Sequence, residues 1–315
     1  MILSSPRGFC AGVVRAIDVV ELCLKKYGPP VYVKHQIVHN PYVVAKLEDK
    51  GAITVEDVSE IPEGSTVVFS AHGSPPEDFE AAQSRKLNVI DAVCPLVTRV
   101  HNEAKKYYKE GKQVLLVGHK GHQEVIGTMG QVPMTLVDDG DDSEIPDLTS
   151  GAEVAVLTQT TLSVGDTQRS IGEILGTHPE AIIRNDICYA TTNRQEAVMK
   201  MAPVVDLVLV IGAQNSSNCN RLREVAEGLG VTSYLINGPH EVEKTWLDGC
   251  SKIGVTSGAS TPEILVEEVI NILAPDKLTY VTGVDEEADE DDEAGETDED
   301  DEDDHPDEEE EDDPE

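Results

Sequence analysis

Three cysteines of this 315-residue chain stand where there is room for something bulky beside the sulfur. Cys10 lies in "GFCAG", Cys94 in "AVCPL" and Cys188 in "DICYA". Each follows an apolar run and precedes a helical pattern, and their separations, 84 and 94 residues, are nearly equal. A cysteine that fills a core behaves as a small buried hydrophobe. Burial accounts for the residue type but not for three matched settings marked by glycine or proline. Structural zinc favours closely spaced pairs of the C-x-x-C kind, which this chain lacks. A nucleophilic cysteine with a histidine base needs one thiolate, not three. An iron–sulfur cluster draws thiolates from dispersed loops around a bulky inorganic core. Three thiolates on a four-iron cube would leave one iron free to act on a substrate oxygen as a Lewis acid.

The remaining cysteines read differently. Cys23 falls on the helical pattern after Cys10, beside Val20 and Leu24, as core packing. Cys250, in "LDGCSK", precedes a strand and has no polar company. Cys219, in "NSSNCN", adjoins a polar cluster at a helix start; the expectation is that it points inward, behind the site at most.

Histidines sharpen the picture. "VHN" (His39, Asn40), "AHGS" (His72, Ser74) and "GHKGHQE" (His119, His122, Glu124) all close apolar runs. A lone histidine is usually a hydrogen-bonded structural residue. Three at equivalent loop positions, beside "QTT", "NSSN" and "GAS", suit a cage for a small, highly charged anion such as a diphosphate. No Walker-type glycine–lysine loop and no carboxylate cluster for Mg²⁺ accompany them, which excludes a nucleotide hydrolase site. Glu124 is the only carboxylate inside these loops. In such a pocket it could hold a raised pKa and deliver a proton. The plainer account is an acid at a helix N-terminus.

What must position these side chains is an alternation of strands and helices. Val/Ile/Leu runs end in small polar residues in "VYVKHQIVHNP", "STVVFSAHGSPP", "NVIDAVCPLVT" and "KQVLLVGHKGHQE". The same arrangement recurs in "AEVAVLTQTTLS", "AIIRNDICYATTNRQ", "VDLVLVIGAQNSSN" and "SKIGVTSGASTPE". Such runs predict strands buried on both faces, hence parallel sheets covered by helices. Amphipathic helices are predicted over 13–26, 97–110, 167–175, 194–201, 220–229 and 262–273. In open α/β sheets ligands bind beyond the carboxyl ends of the strands, where helix N-termini also favour phosphate. The expected fold class is α/β: a trefoil of three similar modules with parallel sheets around a central iron–sulfur site. The expected domains are 12–94, 95–185, and 186–283 together with 1–11.

Composition limits the alternatives. The net charge is −37, but residues 285–315 hold 24 Asp or Glu and no Lys or Arg, leaving the body at −13. That segment buries too little apolar surface to offset its ordering entropy, so 284–315 is expected to be a disordered acidic tail. An acidic body and tail argue against nucleic acid as a partner. No apolar run approaches the roughly 18 residues of a membrane helix, and the N-terminus lacks a secretion signal. A cytoplasmic protein is expected, with its cysteines reduced.

The motifs "PRGFCAGVVRAI", "VHNPYVV", "AHGS", "DAVCPLVTRVH", "GHKGHQEVIGTMGQ", "TQTTLS", "DICYATTNRQEAV", "NSSN" and "SGASTPEILV" occur in this order. Over about residues 2–273 they closely resemble the 4-hydroxy-3-methylbut-2-enyl diphosphate reductases, which complete the non-mevalonate isoprenoid pathway. The resemblance implies one 4Fe–4S cluster per subunit, ligated by Cys10, Cys94 and Cys188, with one iron open. It implies a diphosphate site of His39, His72, His122, Ser216, Asn218 and Ser260, with Ser217 beside them. It makes Glu124 the proton donor and puts Thr160 near the substrate hydroxyl. The implied reaction removes that hydroxyl with two electrons and two protons, giving isopentenyl and dimethylallyl diphosphates. The implied electron donor is of the ferredoxin or flavodoxin type. Cys219 departs from the pattern, standing where a serine is expected. A redox-sensing iron–sulfur protein would share the cysteines but has no use for Glu124 or the anion cage. A zinc enzyme acting on a phosphorylated metabolite would differ in its metal.

Overall fold

A strand whose every residue is buried must be covered on both faces. The computed structural model, which describes residues 1–138 and 152–284, has two such strands in sheet interiors, and helices and loops close over them. Along the chain, β1 (Ile2–Ser5) runs into α1 (Ala11–Tyr27). Then come β2 (Val31–Lys34), α2 (Pro41–Glu48), β3 (Ala52–Val55), β4 (Thr66–Phe69), α3 (Pro76–Ser84) and β5 (Asn88–Asp91). Next are α4 (Pro95–Lys109), β6 (Gln113–Gly118), α5 (Gln123–Met129), β7 (Thr135–Asp138), β8 (Val154–Thr158), α6 (Val164–Thr177) and β9 (Ile182–Ile183). Last are α7 (Tyr189–Met201), β10 (Leu207–Ile211), α8 (Ser217–Gly228), β11 (Thr232–Ile236), β12 (Ile253–Ser257), α9 (Glu263–Leu273) and β13 (Thr279–Thr282).

The strands form three sheets, ordered β11-β10-β12-β1-β13, β3-β2-β4-β5 and β7-β6-β8-β9. Every pairing is parallel, as the unbroken apolar runs predict. The fully buried strands are β8 and β10, each interior to its sheet. Burying each Leu or Val there contributes about 1.5–3 kcal/mol before entropy is counted.

The chain changes sheet three times, and each change places one of the three cysteines. From β1 it passes Cys10 into α1, whose Val13, Ala16 and Val20 pack on Val31, Val33 and Val68 of the second sheet. From β5, an edge strand of that sheet, it passes Cys94 into α4. There Val100, Ala104 and Tyr107 pack on Val114, Leu116, Ala155 and Leu157 of the third. From β9, an edge strand of the third sheet, it passes Cys188 into α7, and Val198 and Met201 pack on Val208 and Val210 of the first. The circuit closes on itself, a three-module α/β trefoil with one thiol at each crossing.

The six predicted helices all form, within a few residues of their expected spans except that α7 starts earlier, at Tyr189. Three more, α2, α3 and α5, have 8, 9 and 7 residues, too short to show a repeating apolar face. Local chemistry starts them instead: Asn40 accepts from the Tyr42 and Val43 amides, Pro41 and Pro76 open α2 and α3, and His122 accepts from the Glu124 amide. The expected acidic tail lies, from residue 285 onward, outside the described residues.

Candidate active site

Each of the three cysteines is an N-cap residue in extended conformation, and none of their side chains caps its own helix. The sulfurs are therefore free to face the centre, where three helix N-termini favour negative charge. Burial nevertheless pushes the Cys94 and Cys188 thiols up, opposed at Cys188 by the hydroxyl of Thr191, 3.2 Å from the sulfur. All three cysteines line one cavity. Among the described residues no three His, Cys, Asp or Glu side chains form a ready-made site for a metal ion. The space beside the sulfurs is kept open by Gly12, where a Cβ would lie 2.8 Å from Cys94 Sγ and 3.9 Å from Cys10 Sγ.

The opposite wall is built from strand-end loops and helix starts. His39 stacks on His72 with ring centroids 4.0 Å apart, and His122 meets them edge-on at 5.2 and 6.0 Å. Burial lowers the His39 pKa to about 4, with His35 adding repulsion, and that of His122 to about 3, with His39 and His119 adding to it. His72 is pushed well below its ordinary value by burial and by its histidine neighbours. His122 accepts at Nδ1 from the Glu124 amide, which leaves its proton on Nε2. Neither ring nitrogen of His39 has a hydrogen-bond partner. His72 Nδ1 meets Ser70 Oγ at 3.2 Å, so of the three neutral rings it is His39 whose unpartnered nitrogens leave a demand for a ligand. Ser260 Oγ donates to the His39 carbonyl, and Asn218 accepts from the Ala259 amide and donates to Thr191. Ser217 donates to the Thr161 carbonyl, while Ser216 caps α8 by accepting from the Cys219 amide.

Glu124, on α5, lines the same cavity and is only 4% exposed. Thr160, at the end of β8, donates to it twice: from its amide at 2.7 Å and from Oγ1 at 3.0 Å. Those bonds favour the carboxylate, but desolvation outweighs them and, with the nearby charge of Asp186, raises the pKa to about 7. At neutral pH the carboxyl is thus about half protonated, the condition of a general acid.

The twelve side chains to which the resemblance gives roles line this one cavity: Cys10, Cys94, Cys188, His39, His72, His122, Glu124, Thr160, Ser216, Ser217, Asn218 and Ser260; Asn40, Ser74 and His119 of the histidine motifs do not. Thr161, Thr191 and Gly12 also line it and were not singled out. Thr191 stands three residues after Cys188 on the same helix, a spacing that points both inward. Gln159, 1% exposed, ties the loops by accepting from the His119 amide and donating to Thr161. Cys219 is fully buried in the core with Leu222 and Ala226, and outside the cavity. Cys23 is core as expected, and Cys250 donates to the Trp246 carbonyl.

Fold and cavity define the class: a parallel α/β trefoil whose crossings deliver three thiols to a buried acid and a histidine cage. The chain belongs to the LytB protein family, which it matches over residues 1–274, and like its relatives it is a reductase. It is 53% identical over 277 residues to 4-hydroxy-3-methylbut-2-enyl diphosphate reductase 1 of Rhodopseudomonas palustris, covering 87% of this chain and 90% of that protein. It is 50% identical over 292 residues to the 4-hydroxy-3-methylbut-2-enyl diphosphate reductase of Acidothermus cellulolyticus, covering 91% and 86%. The solved structure of the E-1-hydroxy-2-methyl-but-2-enyl-4-diphosphate reductase from Plasmodium falciparum matches with a TM-score of 0.84 at 39% identity, covering 89% of this chain and 91% of that one. A second, of (E)-4-hydroxy-3-methyl-but-2-enyl diphosphate reductase, the terminal enzyme of the non-mevalonate pathway, matches with 0.61 at 36% identity, covering 87% and 98%. Among the described residues no helix is long and apolar enough to cross a membrane.

Proposed function

We propose that the protein reductively dehydroxylates (E)-4-hydroxy-3-methylbut-2-enyl diphosphate to isopentenyl and dimethylallyl diphosphates, consuming two electrons and two protons and releasing water. The observation that carries this is the meeting of three thiols, a proton-holding carboxyl and three clustered histidines, His39 among them without a partner, in one cavity.

Cys10, Cys94 and Cys188 would hold a 4Fe–4S cluster. Three soft donors lining one cavity, with Gly12 so close to Cys94 Sγ that no side chain fits between, suit a bulky sulfur-rich core. Bound there, the cluster would supply single electrons and one Lewis-acidic iron without a cysteine. The protein's side chains do the rest. His39, His72 and His122, with Ser216, Asn218 and Ser260 and with Ser217 alongside, bind the diphosphate and orient the carbon chain. Thr160 holds the Glu124 carboxyl facing the cavity. An alcohol leaves poorly as hydroxide, so the Glu124 proton makes the leaving group water. The electrons come from a ferredoxin- or flavodoxin-type carrier, and reduced thiols fit a cytoplasmic setting.

The test is anaerobic reconstitution with iron and sulfide, metal analysis, and product analysis after mixing the reduced protein with the hydroxylated diphosphate. Four irons per chain and both product isomers are expected. Zinc in place of iron, or a reduced protein that leaves the substrate intact, would overturn the proposal.

A further inference from the structure

Arg194, in the stretch "TTNRQ", is only 2% exposed, yet no carboxylate pairs with it among the described residues. Its guanidinium donates through Nη1 to the Ala190 carbonyl at 2.7 Å and through Nη2 to the Gly8 carbonyl at 2.8 Å, while Nε has no partner. Gly8 precedes Cys10 by two residues, and Ala190 follows Cys188 by two. Ala190 belongs to the first turn of Arg194's own helix, α7, so the guanidinium ties the turn that follows Cys188 to the Cys10 loop. A buried cation without a counter-ion is among the costliest arrangements a fold can hold. Neutral carbonyls satisfy its hydrogens but not its charge. Burial pulls its pKa down, and the groups that push it back up are Cys10, Cys188, Cys219 and Tyr189. Cys219 is sealed in the core and Tyr189 is a phenol, so the anion this cation can meet is the thiolate centre.

We propose that Arg194 is the built-in counter-charge of the thiolate centre: a positioning residue that joins the Cys10 and Cys188 loops and makes the metal–sulfur group they hold easier to reduce. The inference rests on the cluster reading of the proposed function. A fixed positive charge favours the more negative, reduced state, so removing it moves the potential downward. The guanidinium suits the place because its planar fork reaches both carbonyls while keeping its charge at any working pH.

The experiment compares wild type with R194K, R194Q and R194M after anaerobic reconstitution. It measures iron and sulfide per chain, the midpoint potential by redox titration, and the far-ultraviolet circular dichroism of cluster-free samples. Expected are folded proteins, a potential shifted to more negative values in R194Q and R194M, and a value near wild type in R194K. R194Q with full iron and an unshifted potential would show that the charge is not felt. R194K shifting as far as R194Q would assign the residue to its hydrogen bonds alone. Unfolding of cluster-free R194Q would make it a structural bridge. Each of these overturns the proposal and leaves the function untouched, whereas a wild-type protein that takes up no cluster defeats the functional reading itself.

Discussion

Replacing Glu124 by Gln should move stability and activity in opposite directions. The carboxyl rises from 4.5 to about 7 because burial penalises its charge more than the Thr160 hydrogen bonds favour it. Between those two values the folded protein keeps a proton that the unfolded chain has released. Stability therefore falls as pH rises through this window. The shift of about 2.5 units, at about 1.4 kcal/mol each, corresponds to roughly 3 kcal/mol lost by pH 8. Glutamine is never charged, so it escapes the penalty. It can also keep both contacts: its carbonyl accepts from the Thr160 amide, and its NH₂ donates to a Thr160 hydroxyl that has turned. In urea unfolding of cluster-free protein, E124Q should exceed wild type by about 2–3 kcal/mol at pH 8 and by almost nothing below pH 5. Its turnover should fall about 10²–10⁴-fold while substrate still binds, because the proton has no other positioned source. Equal stabilities with parallel pH profiles would refute the claim that burial holds the proton. Wild-type turnover in E124Q would refute its role.

Other consequences are separable. Serine at Cys10, Cys94 or Cys188 should each cost iron and activity together, whereas C219S should keep full iron; a loss of iron in C219S would place the wrong sulfur at the centre. G12A should fold, since its helix tolerates alanine, but load little iron, because the new Cβ would sit 2.8 Å from Cys94 Sγ; normal loading would show that the space is not needed. With His39 near 4 and His122 near 3, both rings are uncharged at neutral pH, so inorganic pyrophosphate should raise both values and bind with a net proton uptake that grows as the pH falls from 8 to 5. Calorimetry in buffers of contrasting ionisation heat reads this directly, and binding without uptake would make the rings neutral donors only.

How much of this was legible in the sequence depended on the kind of signal. Parallel sheets followed from runs such as "LVLVI", because only strands covered on both faces can be apolar throughout. The cavity residues were legible because polar side chains at strand ends have one common destination in such sheets. The short helices α2 and α5 were not, since their starts are made by Asn40 and His122, which read as chemistry rather than as caps. β3, β7, β11 and β13 escaped notice because they lack a polar strand-end motif; all four are edge strands, and β13 alternates half-buried and exposed positions. Arg194 was hidden because a charged residue on a helix reads as solvated surface. Only its place between Gly8 and Ala190 shows that it is buried. Nor does linear spacing show that each cysteine marks a change of sheet, which is a property of the crossings.

Desolvation sets both halves of the site. The same burial that keeps a proton on Glu124 strips protons from His39 and His122, because it penalises whichever form carries charge. An arriving polyanion affects both groups in the same sense. It makes protonation of the rings less unfavourable, moving their pKa values back towards the ordinary one. It also makes loss of the Glu124 proton less favourable, so the acid stays loaded until a leaving oxygen needs it. A more open site would hold charged histidines and an ionised glutamate beforehand, binding the anion well but with no proton to give. In the trefoil the thiols come from the three crossings while Glu124 is buried on its own helix, so the cavity that gathers the thiols also holds a protonated acid.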